Sequence, residues 1–146
     1  MRMDGPVADD VWLEQYITAW SQHALTGSNG PAMDDLLGLM SPEIRYEDVP
    51  TAAVYRGHEG VREMAAQAHQ LSSDMTFEAA NSTTSANCFA FEHHASGTNT
   101  GAIGPLPATG KSFTLHGVAF GVLADGLVIE HRDYWDLAGL LGQLGV

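Results

Sequence analysis

The stretch HGVAFGVLADGLVIEHRDYWD, running from His116 to Asp136, decides the fold. Two runs of alternating apolar character flank Asp125-Gly126, a dipeptide that tolerates the positive φ angles of a type I′ hairpin turn. A two-residue turn places Ala124 opposite Leu127. Continued alternation then predicts His116 opposite Trp135, Val118 opposite Asp133 and Phe120 opposite His131. The set Leu127, Ile129, His131, Asp133 and Trp135 thus shares one face with His116, Val118, Phe120 and Val122, while Glu130, Arg132 and Tyr134 take the other. An aspartate and two histidines are expected among aliphatic and aromatic groups, with His116 diagonal to Asp133 at roughly 5 to 8 Å between Cβ atoms. A carboxylate in such surroundings has its pKa pushed toward neutrality unless it is paired, and a general acid or base needs that property.

Period two continues upstream, through Met75, Phe77 and Ala79 and through Phe89, Phe91 and His93, so the second half of the chain reads as a sheet. The first half reads as helices. Asp9 or Asp10 caps a helix over Asp10–Leu25 with Leu13, Tyr16, Ile17, Trp20 and Ala24 on one face. After Pro31, Met33, Leu36, Leu37 and Met40 repeat the helical spacing until Ser41-Pro42 stops it. A third helix spans about His58–Gln70 on Val61, Met64, Ala65 and Ala68, and Asp136 caps a short last one on Leu137, Leu140, Leu141 and Leu144. Between the helices, EIRYED at 43–48 turns Ile44, Tyr46 and Asp48 to one side. Helices and strands are segregated, which predicts an α+β fold in one domain over residues 1–146. The stretch GTNTGAIGPLPATG, Gly97 to Gly110, reads as a long connection and as the mobile rim of a cavity.

Composition narrows the function. The 146 residues carry 18 acidic and 6 basic side chains, a formal charge of −12, which disfavours nucleic acid. No run of about 18 apolar residues is present, so no membrane partner is expected. The first ten residues lack an apolar signal core, which points to the cytoplasm. Cys88, the single cysteine, excludes an internal disulfide or a thiolate cluster, and its neighbours suggest a core strand position.

The segments HHASGTNTG, GPLPATGKSFTLHGVAF and DGLVIEHRDYWDLAGLLGQLG resemble the SnoaL-like cyclases, often labelled ester cyclases, of the superfamily that includes nuclear transport factor 2 and ketosteroid isomerase. The similarity covers about residues 10–145. It implies an NTF2-like cone: a curved, mostly antiparallel sheet wrapped by three helices of the N-terminal half plus a short C-terminal one, with a deep pocket at the open end. It also implies an intramolecular aldol closure of a polyketide ring, with Asp133 as acid and base and His116 assisting, and neither a metal nor an organic cofactor. The partner is then a hydrophobic small molecule, against Tyr16, Trp20, Phe91, His93, Val118, His131 and Trp135. The ketosteroid isomerase branch is similar elsewhere, in QYITAW and YEDVP. That alignment makes Tyr16 an oxyanion donor and Asp48 a base, with Val118 near the place of that enzyme's protonated aspartate.

Each residue also has a plainer role: Asp133 as a hydrogen-bonded carboxylate, the histidines as core groups bonded to carbonyls, Tyr16 and Trp20 as aromatic core, Asp48 as a partner for Tyr16 or an amide. His93, His116, His131 and Asp133 include good zinc donors, but no compact ligand motif joins them and no metal is expected. The catalytic expectation rests on Asp133, His116 and Asp48. The alternatives are an allylic isomerase using Asp48 and Tyr16, an epoxide-opening enzyme, which needs an inward arginine where Arg132 faces out, and a ligand-binding module without chemistry. Phe113, Leu115, Ala119, Val128 and Tyr134 are expected on the outer face, where they predict a homodimer or larger assembly.

Overall fold

A computed structural model describes residues 8–146, apart from the side chains of Ala24, Leu25 and Thr26, so the expectations for the N-terminal leader and for Ala24 lie outside the described residues. Asp9 is the cap of α1 (Asp10–Thr26), its carboxylate accepting from the Trp12 amide at 2.8 Å. The buried stripe of α1 is wider than expected, adding Trp12, Ala19 and His23 to Leu13, Tyr16 and Trp20. Helix α2 (Pro31–Gly38) ends before Met40, which is the first residue of β1 (Met40–Asp48) and not the last of a helix. A 3-10 turn over Val49–Thr51 leads into β2 (Ala53–Arg56), a short strand the sequence pattern does not announce. Then come α3 (Gly57–Leu71), β3 (Thr76–Ser85), β4 (Cys88–Thr98), β5 (Ser112–Ala124), β6 (Leu127–Trp135) and α4 (Leu137–Leu144), the last capped by Asp136 onto the Gly139 amide. The six strands form one sheet in the order β2-β1-β6-β5-β4-β3, antiparallel except where β1 runs beside β6. This is the expected α+β plan, with the core between the concave sheet face and α1–α3.

The β5–β6 hairpin turns as expected, with Asp125 at φ 53° and Gly126 at φ 78°, and Ala124 pairs with Leu127 and Leu123 with Val128. Beyond that the register shifts. Val122 meets Glu130, Gly121 meets His131 and Ala119 meets Asp133, because Ile129 is an extra residue in β6. Such a bulge reverses the facing of everything past it relative to the partner strand. His131, Asp133 and Trp135 still face inward, but they are matched by Gly117, Ala119 and Gly121, while His116 and Val118 face out and are exposed.

The reason is volume. Rings from β4 and β6 occupy the concave side, so the central strand offers only small side chains there. A Cβ on Gly117 would lie 2.7 Å from His93 Cε1, and one on Gly121 would clash with the edge of the Phe89 ring and lie 3.0 Å from the Glu130 carbonyl oxygen. Gly121→Val is therefore expected to cost about 3 kcal/mol, the upper end for overpacking, as the Phe89 ring and a neighbouring backbone both obstruct it. Urea denaturation against the native protein measures this.

The same inversion corrects the outer face. Phe113, Ala119 and Val128 are buried and Leu115 is half-buried, while Val118 (38% exposed) and Tyr134 (45%) are exposed on the exterior of β5 and β6. Arg132 lies outside as expected, over the Phe120 ring at 5.1 Å. Cys88 is half-buried at the β3–β4 turn beside Ser85 and does not reach the core. The 97–110 connection is tied down around Asn99, which is fully buried; its side chain binds the Leu71 and Gly101 carbonyls and accepts from the Thr109 amide and hydroxyl. A segment cross-linked in this way is a fixed wall.

Candidate functional site

Strand alternation on β1 and β6, paired in parallel with Tyr46 beside His131 and Asp48 beside Asp133, delivers four polar side chains to one end of the concave face. Asp133 is their hub. Its Oδ1 accepts from His131 Nε2 at 3.0 Å, its Oδ2 accepts from the Tyr46 hydroxyl, and His93 Nε2 on β4 stands 3.8 Å from Oδ1. His131, 1% exposed, meets the Tyr16 hydroxyl of α1 through Nδ1 at 2.7 Å and lies face to face with Tyr46 at 4.7 Å. The imidazole thus bridges the Tyr16 hydroxyl at Nδ1 and the Asp133 carboxylate at Nε2. The Asp133 side chain keeps 17% of its exposure, and a carboxylate holding two donors still has lone pairs to offer.

Asp48 forms the second half of the mouth. Trp135 Nε1 donates to its Oδ1 at 2.5 Å, and Thr51 Oγ1 to its Oδ2 at 2.5 Å. The two carboxyls are tuned in opposite directions. Burial alone pushes Asp133 up, but the charge and hydrogen bond of His131, with His93 and the Tyr46 hydroxyl, outweigh it and hold the group below the usual carboxylate range. At Asp48 burial prevails over the bonds from Thr51 and Trp135, Asp133 adds to the rise, and the group sits above its ordinary value. Burial first, then Asp133, drives the Tyr46 hydroxyl well above 10, and burial does the same to Tyr16, so both remain donors. Burial lowers His93 against the pull of Asp133, keeping it a neutral imidazole at neutral pH.

The chain is recognised over nearly its whole length by the model of one family, SnoaL-like polyketide cyclase, across residues 11–144. It belongs to that family. This SnoaL-like chain is similar in structure to TsrD from Streptomyces laurentii, at 25% identity and a TM-score of 0.81 over 94% of this chain and 98% of that one. A putative SnoaL-like polyketide cyclase from Jannaschia sp. CCS1 aligns at 18% identity and TM-score 0.81 over 100% and 99% of the two chains. Another from Shewanella putrefaciens CN-32 aligns at 16% and 0.75 over 92% and 94%. These likenesses show the NTF2-like cone. A search of curated sequences finds no match.

Set against this SnoaL-like cone, the expected site residues divide. Asp133, Asp48, His131, His93 and Trp135 come together at the mouth. His116 does not: it is exposed on the convex face, edge-on to His94 at 4.5 Å, so the His116–Asp133 dyad is not formed. Val118 lies on the same outer face. Tyr16 is wholly buried, with its hydroxyl on His131; Trp20 (6% exposed) and Phe91 (2%) lie in the core behind the site. Tyr46 is the residue that sequence reasoning missed, although its alternation with Ile44 and Asp48 carried the signal.

Rings of Tyr46, His131 and Trp20 pack on one another inside the cone, as do Phe77 and His93, and two clefts of about 410 and 340 Å³ lie beside Trp12 and Asp125 and beside Ile17 and Ala79. Among the described residues, no group of three His, Cys, Asp or Glu side chains is placed to hold a metal ion. None of the described helices is long and apolar enough to cross a membrane.

Proposed function

We propose that the protein catalyses an acid–base, aldol-type ring closure of a hydrophobic, poly-oxygenated polyketide-like substrate, using side chains alone. The observation that carries this is the Asp133 carboxylate, ionised at neutral pH, largely shielded yet still reachable at the mouth, and oriented by His131 and Tyr46. A carbon between two carbonyls is acidic enough for a weak base, provided it is held at the right distance. Asp133 removes that proton; the carbanion attacks a carbonyl of the same molecule, forming the C–C bond. The resulting alkoxide recovers the proton from Asp133. Tyr46 and His131 donate to the carboxylate and thereby set its orientation, while Asp48 holds Trp135 as an aromatic wall. Trp20, Phe91 and His93 shape the apolar interior behind it.

The test is incubation with a linear aryl poly-β-ketone or its ester in deuterated buffer. The expected product is a cyclised isomer of unchanged mass apart from deuterium at the reacting carbon. Recovery of starting material with no exchange would exclude the reading.

A second reading, allylic isomerisation with Asp48 as base, is favoured by the raised pKa of Asp48. It is disfavoured by the Tyr16 hydroxyl, which is buried on His131 and has no path to a substrate. Epoxide opening is not favoured by Arg132, which lies over Phe120 outside the cone. The outer sheet face, with Val118 and Tyr134 exposed, is read as a homodimer surface, for which light scattering should give twice the chain mass.

A further inference from the structure

We propose that His94 and His116 form a bidentate site for a divalent transition ion of the zinc type on the convex face of the sheet. The site lies on the opposite side of the sheet from Asp133 and is independent of the acid–base reading.

All seven histidines fall within the described residues, and of these only His94 and His116 are exposed. The others have a different use. His58 Nε2 meets the Met40 carbonyl at 3.0 Å, His131 bridges Tyr16 and Asp133, His23 and His93 are buried, and His69 is half-buried. The exposed two stand directly opposite each other in the β4–β5 register. Opposed residues on neighbouring strands have Cβ atoms about 4.5 to 5.5 Å apart. Their rings meet edge to face, with centres 4.5 Å apart and planes at 77°. Among the described residues no other group holds either ring by a hydrogen bond, so each imidazole has a nitrogen lone pair to offer.

A tetrahedral zinc ion takes imidazole nitrogens at about 2.0 to 2.1 Å, which places two of them roughly 3.3 Å from each other. Opposed strand positions span that distance, and the χ2 torsion of an exposed histidine is broad enough to turn the edge-on ring toward the common point. Imidazole favours zinc, copper and nickel, whereas magnesium and calcium prefer oxygen. The surroundings favour a cation too. Glu78 on β3 is the register partner of His94, and Glu92 lies two residues before His94 on the same face of β4. Asp136, whose amide donates to the His116 carbonyl at 3.3 Å, ends the row just beyond β6. In a chain of formal charge −12, these carboxylates add to a field that concentrates cations. A carboxylate beside a ligating imidazole is also the usual outer-shell partner. With two protein donors, the ion keeps its remaining positions open to solvent.

The test is calorimetric titration of the full chain with zinc chloride after EDTA treatment and dialysis, with the histidine ring signals followed by NMR. One ion per chain is expected, with the His94 and His116 signals shifting and those of His58 and His69 unmoved. Two donors fixed on one sheet gain affinity over a single donor through effective concentration, by about 10² to 10⁴. His94→Gln and His116→Gln are therefore each expected to weaken zinc binding about 100-fold, and Glu78→Gln about tenfold. All three positions are exposed, so circular dichroism and the melting temperature should not change. Magnesium chloride is expected to bind far more weakly than zinc. Native zinc affinity in His94→Gln or His116→Gln overturns the proposal, as do shifts confined to other histidines. One ion held equally by the double variant would be an adventitious ion only, and magnesium binding as tightly as zinc would place the cation on the carboxylates; either result also overturns it.

Discussion

Asp133→Asn is expected to lower turnover by about 10² to 10⁴ with the fold intact, the usual loss when a positioned acid–base group is deleted. The fold survives because the network can reverse. The Asn oxygen still accepts from Tyr46, its amide donates to His131 Nε2, and the ring donates from Nδ1 to the Tyr16 oxygen. Circular dichroism and the melting temperature should therefore change little while kcat falls. Near-native turnover in a folded variant takes Asp133 out of the mechanism. The pH profile adds a second check. Native Asp133 is held below the ordinary value of 3.8, so the acid limb of the rate lies below about pH 4. Tyr46→Phe removes one of the groups lowering it, and the limb should move to higher pH. An unmoved limb would assign the titration to another group.

How much of this could be read from the chain depends on which physical signal each element carries. Helices α1 and α3, the Asp125-Gly126 turn and the Asp136 cap follow from local chemistry and are found where spacing and capping place them, whereas α2 stops short of Met40, which opens β1. The inward facing of Asp48, His93, His131, Asp133 and Trp135 follows from alternation on their own strands, which no partner can alter. What alternation does not carry is the relation between strands. One extra residue at Ile129 reversed the partner face, sending His116 and Val118 outward. The clue was present in Gly117, Ala119 and Gly121, alternating with larger groups: small residues inside, where rings from both neighbours need room. Hydrophobicity alone turns the larger set inward, but where rings from both neighbouring strands occupy the concave face, volume decides.

His131→Ala should be the most damaging single change to stability, at about 3 to 5 kcal/mol near pH 7, because it strips one partner from a buried charge. Three losses coincide. The Tyr16 hydroxyl loses its 2.7 Å bond, Asp133 loses its 3.0 Å donor, and the rings of Tyr46 and Trp20, stacked and tilted against the imidazole at 4.7 and 5.2 Å, border a void. The loss carries a pH signature that a cavity alone lacks. In the native protein Asp133 titrates below 3.8, so its contribution is fully present above the unfolded value and is lost as pH falls through the folded one. Without His131 burial is opposed only by the weaker neighbours, and the folded pKa rises. The variant is then penalised most at neutral pH and regains ground as acid protonates the carboxyl. Urea midpoints measured from pH 7 to pH 3 should converge for the two proteins as pH drops toward 4 and below. A gap that stays constant across that range would mean that His131 acts by packing alone, leaving Asp133 without the ion-pair partner on which its role as a base depends.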